Sequence, residues 1–287
     1  MPIRYPDVLG MVLPQRRFRY TRKDTALYAL GIGIGRGDVR ELPFVFGDIL
    51  RSVPSQVTVI AWDDTWQDQV GIDVAKVLHG EQSITLHAPL RDEDEVSAKI
   101  SVIEALDKGR EKGAVLRVQT ALSRVEDGSP LATLLSTVFA RGDGGFGGPN
   151  QKSPAPAQPP DRQPDLVSEF DTRVEQALLY RLSGDMNPLH ADPTWAAAAG
   201  FDRPILHGLC TYGVAAAELV RHVCDHDPSR LVHLEARFSA PVYPGERLST
   251  EIWIEGDSVH FSTSVPARSA RVLSNGRAVV TPSSTRK

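Results

Sequence analysis

Residues 176–185 read QALLYRLSGD, and residues 24–33 read DTALYALGIG. Slid over each other by 152 positions, they bring Leu27 onto Leu179, Tyr28 onto Tyr180 and Leu30 onto Leu182. The same offset carries LHAPLRDEDEV, residues 86–96, onto FSAPVYPGERL, residues 238–248. Ala88 and Pro89 then fall on Ala240 and Pro241, Asp94 on Glu246, and Val96 on Leu248. One unchanged shift across both segments predicts an internal repeat, two copies of a unit that bury a face against each other. Two unrelated domains with similar turn chemistry are the competing reading.

The halves are separated by RGDGGFGGPNQKSPAPAQPPDRQPD, residues 141–165, in which Phe146 is the lone aromatic. A stretch so rich in glycine and proline cannot bury enough apolar surface to fold alone, so it reads as a linker. The expected division is a first unit over 1–145, a linker over 146–166 and a second unit over 167–287. The 287 residues suffice for two such units.

Composition excludes several classes. Apolar residues are 41%, charged residues 24%, and the net charge is -4 without a basic stripe, so no nucleic-acid partner is expected. No uninterrupted apolar run is long enough to span a bilayer, so no membrane partner is expected. MPIRYPDVLG lacks the apolar core of a signal peptide, and the terminal PSSTRK carries no sorting tripeptide. Cys210 and Cys224 suit a reducing compartment better than a disulfide scaffold. The expected location is the cytoplasm.

Periodicity supplies the elements. TALYALGIG has helical apolar spacing followed by a glycine stop. QSITLHAPL, VSAKISVIEAL and AVLRVQTALS alternate as strands do. LATLLSTVFA, from Leu131, reads as strand with helix competing. The second half repeats the order with HLEARFSAPV, LSTEIWIEG and two strands in VHFSTSVPARSARVLSNGRAVV. LCTYGVAAAELVRHV, from Leu209, reads as a helix buried on most sides. The fold class is α+β, with an antiparallel sheet wrapped around a helix occurring twice.

Within YRLSGDMNPLH, residues 180–190, Ser183 and Gly184 permit a turn and Pro188 restrains the backbone before His190. Asp185, Asn187 and His190 can therefore crowd one small volume. A carboxyl and an imidazole suit general acid–base work, and each can shift the other's pKa. Asn187 offers both donor and acceptor, which suits orienting the pair or a water. The alternative is local: Asp185 caps the next turn and Asn187 makes an Asx turn. A metal is not expected, because His190, Asp192 and His207 match no compact zinc spacing. Asp192 instead fits as a helix cap before Pro193.

The whole run YRLSGDMNPLHADPTWAAAAGFDRPILHGLCTYG, residues 180–213, resembles the signature of the MaoC-like, (R)-specific enoyl-CoA hydratases, the hydratase 2 family. The likeness is to its double-hotdog members, such as the hydratase domain of peroxisomal multifunctional enzyme type 2. It continues through ARFSAPVYPGERLSTEIW and reaches the first half as YALGIGIG, HGEQSITLHAPL and RGDGGFGG.

The resemblance implies a double hotdog of two tandem units. It implies reversible hydration of a trans-2-enoyl-CoA to a (3R)-3-hydroxyacyl-CoA, with no cofactor. Asp185 and His190 would be the acid–base pair, assisted by Asn187, and the Gly208 N–H would bind the thioester oxygen. His207 would shape the pocket rather than exchange protons. The offset lands Asp185 on Gly33, Asn187 on Gly35, His190 on Asp38 and Gly208 on Gln56, so the first unit would hold the acyl chain without catalysing. GIGIGRG lacks the spacing of a dinucleotide loop. Arg203, Arg237 and Arg247 are candidates for the coenzyme A phosphates. A homodimer is expected. The alternatives are a hotdog acyl-CoA thioesterase and a (3R)-hydroxyacyl dehydratase acting on acyl carrier protein.

Overall fold

Thr21 and Asp24 form a capping box, with the Thr21 N–H donating to the Asp24 carboxylate at 2.8 Å, and this turns the chain from β1 (Arg16–Tyr20) into α1 (Arg22–Gly31). The computed structural model describes residues 3–151 and 158–282. Residues 152–157 of the expected linker and 283–287 of the terminus read for a sorting signal lie outside the described residues. After α1 come two short helices, α2 (Val57–Ile60) and α3 (Trp66–Val70). Four long strands follow: β2 (Val77–Leu86), β3 (Asp94–Asp107), β4 (Ala114–Arg124) and β5 (Pro130–Ala140). The second half runs β6 (Leu166–Asp171), α4 (Gln176–Tyr180), α5 (Pro193–Ala198), α6 (Gly208–His222), β7 (Leu231–Phe238), β8 (Arg247–Glu255), β9 (Ser258–Val265) and β10 (Ala270–Val280). LATLLSTVFA is strand β5, paired on one side with β2 and on the other with β4.

All ten strands join one antiparallel sheet, ordered β1-β3-β4-β5-β2-β7-β10-β9-β8-β6. Read outward from the seam, the two halves have the same order. Residues 231–238 of β7, shifted by 152, fall on residues 79–86 of β2. The seam thus pairs a strand with its own copy, Ile84 beside Leu234 and Glu81 beside Arg237. The repeat is a double hotdog.

Inside the curve, one apolar cluster runs beneath both halves, from Val96 and Leu131 to Phe261 and Leu273. Tyr28 and Tyr180, matched by the repeat, are both buried, with ring centroids 6.0 Å apart. Gln176 donates to the Gly31 carbonyl at 2.5 Å across the same contact. At the far end, Arg221 of α6 pairs with Glu41 of the first unit and with Glu218, and the Gly35 N–H donates to Glu41 at 2.7 Å.

The two central helices differ. In α6 every residue from Leu209 to Val220 is buried, as its apolar run predicts. In the first unit the equivalent helix is reduced to a 3-10 turn (Pro54–Gln56) and the four residues of α2. Val57, Thr58, Val59 and Ile60 are all β-branched, which weakens helix, and Asp63 then captures both the N–H and the hydroxyl of Thr65, at 3.0 and 2.6 Å. The chain leaves the helix there and carries Trp62 and Asp64 toward the second unit.

The glycine-rich stretch also has more structure than its composition suggests. The Asp107 carboxylate accepts N–H groups from Gly109, Gly145 and Gly147 at 2.7–2.8 Å, and Phe146 packs on a second apolar cluster around Trp66 and Ile100. A buried carboxylate supplies the partners that this stretch lacks within itself. No helix among the described residues is long and apolar enough to cross a membrane.

Candidate active site

A chain of side-chain caps shapes the loop after α4. Arg181–Ser183 forms a 3-10 turn that ends at Gly184, whose φ of 144° is open to glycine alone in practice. A Cβ at Gly184 would also come within 3.3 Å of the Trp62 side chain. Asp185 Oδ1 then accepts the Asn187 N–H at 3.1 Å, and Asn187 Oδ1 accepts the Leu189 N–H at 3.0 Å. Pro188 opens the turn that ends at His190. Asp192 caps α5 as predicted, accepting the Thr194 N–H at 2.7 Å, with Pro193 at its first position. The local capping role and the crowding of Asp185 with His190 are therefore both present, because one carboxylate oxygen serves the turn and the other is left over.

His190 is buried, and its Nδ1 lies 2.9 Å from the Ile205 carbonyl. A carbonyl only accepts, so Nδ1 carries the hydrogen and Nε2 presents a lone pair. His207 is 1% exposed, and its Nε2 donates to the Asp185 carbonyl at 3.1 Å. The two imidazoles stack, with centroids 3.7 Å apart and planes at 27°. One ligand-type atom each from Asp185, His190 and His207 lies within 4.8 Å of the others. Stacked rings, however, send their in-plane lone pairs along separate planes rather than to one point, and one nitrogen of each ring is already committed to a carbonyl. The three do not fit a tetrahedral site.

Electrostatics brings the pair's proton affinities together. Burial pushes the Asp185 carboxyl above its ordinary value, with Asp64 adding to the rise and the Asn187 N–H and His190 opposing it. Burial likewise holds His190 below the ordinary imidazole value, against the Ile205 carbonyl and Asp185. Such convergence suits passing a proton between the two groups. Burial, with His190 alongside, holds His207 down at about 2.

Asp185 opens on a cavity of about 400 Å³ lined by Trp62, Asp64, Gly184, Asp185, Met186, Asn187 and Pro188. Two of these residues come from the first unit. A second cavity, of about 360 Å³, lies at the β2–β7 seam between Thr85, His233 and Arg277 and shares no lining residue with it. Gly208 is the first residue of α6, is exposed, and its N–H has no acceptor among the described residues. A free N–H at the start of a 15-residue helix favours negative charge.

The first unit cannot copy this arrangement. Gly33, matched to Asp185, has φ 88°, and a Cβ there would come within 2.2 Å of Phe170. The Gly35 N–H is taken by Glu41. Asp38 caps the turn at Arg40 and pairs with that guanidinium, which with its N–H holds the carboxyl down at about 2. Gln56 is buried and donates to Thr25 at 2.9 Å.

The three arginines have different partners. Arg203 lies over the Tyr243 ring, 5.0 Å from its centroid. Arg237 is on β7 beside Glu81, 4.0 Å away. Arg247 is on β8, three strand spacings or roughly 14 Å across the sheet from β7. It is bidentate to Asp171 at 2.7 and 3.0 Å and also bonded to Glu169 at 3.0 Å. Trp62, Asp64 and the His190–His207 stack were not foreseen. Only the β-branched run before WDD, residues 62–64, hinted that the first helix ends early.

Residues 18–142 match the MFE-2 hydratase 2 N-terminal domain, and residues 155–275 match the MaoC like domain. The chain is 42% identical over 251 residues to 3-hydroxyacyl-thioester dehydratase Y of Mycobacterium tuberculosis, covering 86% of this chain and 87% of that protein. The chain belongs to the MaoC-like hydratase 2 family. Within it, the chain is 39% identical to the peroxisomal enoyl-CoA hydratase 2 of Arabidopsis thaliana, covering 93% and 92% of the two chains. The crystal structure of a MaoC-like dehydratase from Phytophthora capsici superposes with a TM-score of 0.84 at 36% identity, over 96% of this chain and 97% of that one. Kinship overturns the expected cytoplasmic location: several relatives, the Arabidopsis one among them, are named as peroxisomal. The residues behind that expectation are compatible with more than one compartment.

Proposed function

We propose that Asp185 and His190, with Gly208 as oxyanion donor, carry out the reaction of this family in this chain. The protein is an (R)-specific enoyl-CoA hydratase and, in reverse, a 3-hydroxyacyl-CoA dehydratase. The observation that carries the site assignment is the buried Asp185–His190 pair, with Asp185 lining a cavity and His207, bonded to the Asp185 carbonyl, capping the helix that begins at the exposed Gly208.

The thioester carbonyl of a trans-2-enoyl-CoA accepts the Gly208 N–H, which stabilises the charge that gathers on that oxygen as water adds. Water lies between Asp185 and His190. One of them takes a proton as the water oxygen bonds to C3, and the pair returns a proton to C2 on the same face. The Asn187 amide nitrogen, free of acceptors among the described residues, orients the water or the pair. The product is the (3R)-3-hydroxyacyl-CoA.

The units divide the task. The first, residues 1–145, accommodates the acyl chain where its central helix is cut short; residues 146–166 link; the second, residues 167–287, catalyses. Arg203 and Arg237 are the better placed for coenzyme A phosphates, because the Arg247 charge is already shared by two carboxylates. The chain pairs as a homodimer with one complete site per subunit. Carrier-protein thioesters form the second reading, favoured by the Mycobacterium relative being named for thioesters at large.

Purified protein should bleach the conjugated absorbance of trans-2-enoyl-CoA without releasing thiol. Thiol release at the same rate would instead mark a thioesterase. Chiral analysis should give the (3R) alcohol, and a predominantly (3S) product rejects the assignment. A panel from four-carbon to bulky ring-bearing substrates, on coenzyme A and on carrier protein, defines the specificity.

A further inference from the structure

We propose that His207 is a positioning residue that fastens both members of the acid–base pair to the helix carrying the oxyanion donor. The proposal rests on the roles given above to Asp185, His190 and Gly208. Three contacts converge on this one residue. Its Nε2–H is bonded to the Asp185 carbonyl at 3.1 Å, which holds the backbone of the acid. Its ring face lies 3.7 Å from the His190 ring, whose other restraint is the single bond from Nδ1 to the Ile205 carbonyl. Its own backbone is the cap of α6, with its carbonyl accepting the Cys210 and Thr211 N–H groups at 3.0 and 3.2 Å, and Gly208 is the next residue. A rigid buried helix thus sets the imidazole, and the imidazole sets the acid and the base.

The ring's protonation state fits this use. With 1% exposure and no partner for Nδ1 among the described residues, a second ring hydrogen would be buried without an acceptor. It would also place a positive charge against His190. The neutral ring has one N–H, and that N–H is committed to Asp185. When His190 carries the extra proton during turnover, it meets a neutral aromatic face, which attracts a cation. The other ionisable groups around the stack are Tyr180, with its ring centroid 5.0 Å from that of His207, Arg181, and Asp64 acting on Asp185.

Two substitutions separate the contacts. His207→Phe keeps a flat face and removes the N–H; His207→Gln keeps a donor near the position of Nε2 and removes the ring. Because small misplacements of reacting groups are costly, kcat should fall about tenfold or more in the Phe variant and about threefold or more in the Gln variant, with KM within about threefold. The Gln change, which removes the face against His190, should cost less than about twofold in a His190→Ala background, and the Phe change, which removes the bond to Asp185, less than about twofold in an Asp185→Asn background, since the group each contact positions is then gone. A part that merely supports the fold would cost as much in those backgrounds as in wild type. Either folded variant decides the matter. A kcat within about twofold of wild type, a loss carried by KM, or an undiminished loss in the background that lacks the group positioned overturns the proposal. Asp185→Asn and His190→Ala are assayed alongside. If they keep wild-type rates, the site assignment fails; if they are inactive while His207→Phe is not, only this inference fails.

Discussion

Replacing Gly208 by proline deletes one hydrogen-bond donor while leaving the helix that presents it intact. Gly208 is the first residue of α6, the position where proline is best tolerated, since its N–H makes no bond within the helix. The residue before it, His207, has φ -56° and ψ 134°, an extended conformation that a following proline accepts. The steric cost is small: a Cβ would come within 3.2 Å of the Phe238 ring, which must give by a few tenths of an ångström. That ring is flanked by His79, with centroids 4.9 Å apart, so its freedom is limited, and Gly208→Ala is the control that adds the same Cβ but keeps the N–H. Alanine also favours helix over glycine by up to about 1 kcal/mol, which offsets the contact. Removing an oxyanion donor costs about 10²–10³ in kcat, or about 2.7–4 kcal/mol. The proline variant should therefore turn over about a hundredfold more slowly than the alanine variant at saturating substrate, with melting temperatures within about 4 °C of each other. Equal kcat values in two folded variants would refute the donor role of Gly208.

Asp185→Asn preserves the bond to the Asn187 N–H and should still lose about 10²–10⁴ in kcat, as should His190→Ala; hydration within about threefold of wild type in either folded variant removes the assignment. The same Asp185→Asn change has a stability consequence of opposite sign. Burial raises the Asp185 pKa, so the native state holds this proton more tightly than the unfolded chain, and the ionised group subtracts stability as pH rises through the raised value. The asparagine variant should melt higher than wild type at about pH 7, the gap closing near pH 4, in thermal scans across that range. Burial lowers the His190 pKa, so the imidazole stays neutral below about pH 6.5 and turnover should persist there; an acid limb centred above about 6.5 and absent in His190→Ala contradicts this. Asp38→Ala should leave kcat nearly unchanged and lower the denaturant midpoint slightly as a lost cap, measured by denaturant titration; a thousandfold fall in kcat overturns the division between the units.

Much of the fold was legible because the repeat and the strand alternation are local or nearly local signals. Tyr28 and Tyr180 declared the duplication, and the apolar run after His207 declared α6. The Asp185–His190 loop was legible because its geometry is built by caps only two residues long. What failed to show were contacts made across the chain. Trp62 and Asp64 reach the cavity because a helix ends early, and no pattern places that end opposite Gly184. The glycine stretch looked unable to fold because its partner, Asp107, is nearly 40 residues away. Arg247 looked available because its carboxylates lie on the neighbouring strand, at Glu169 and Asp171. The stacking of His207 on His190 depends on the approach of two loops and leaves no trace in spacing.

The seam where β2 pairs with β7 has one further consequence. When two identical chains meet along such an edge, every substitution appears twice, and a change that widens one binding cleft also damages the other's chemistry. Joining the partners by a peptide connection ends that obligation. One copy could then give up its carboxylate for Gly33 and shorten its helix, while the other kept the full catalytic loop. Heredity acts on the two sides of this sheet separately, so a larger substrate can be accommodated on one side without any alteration to the reacting groups on the other.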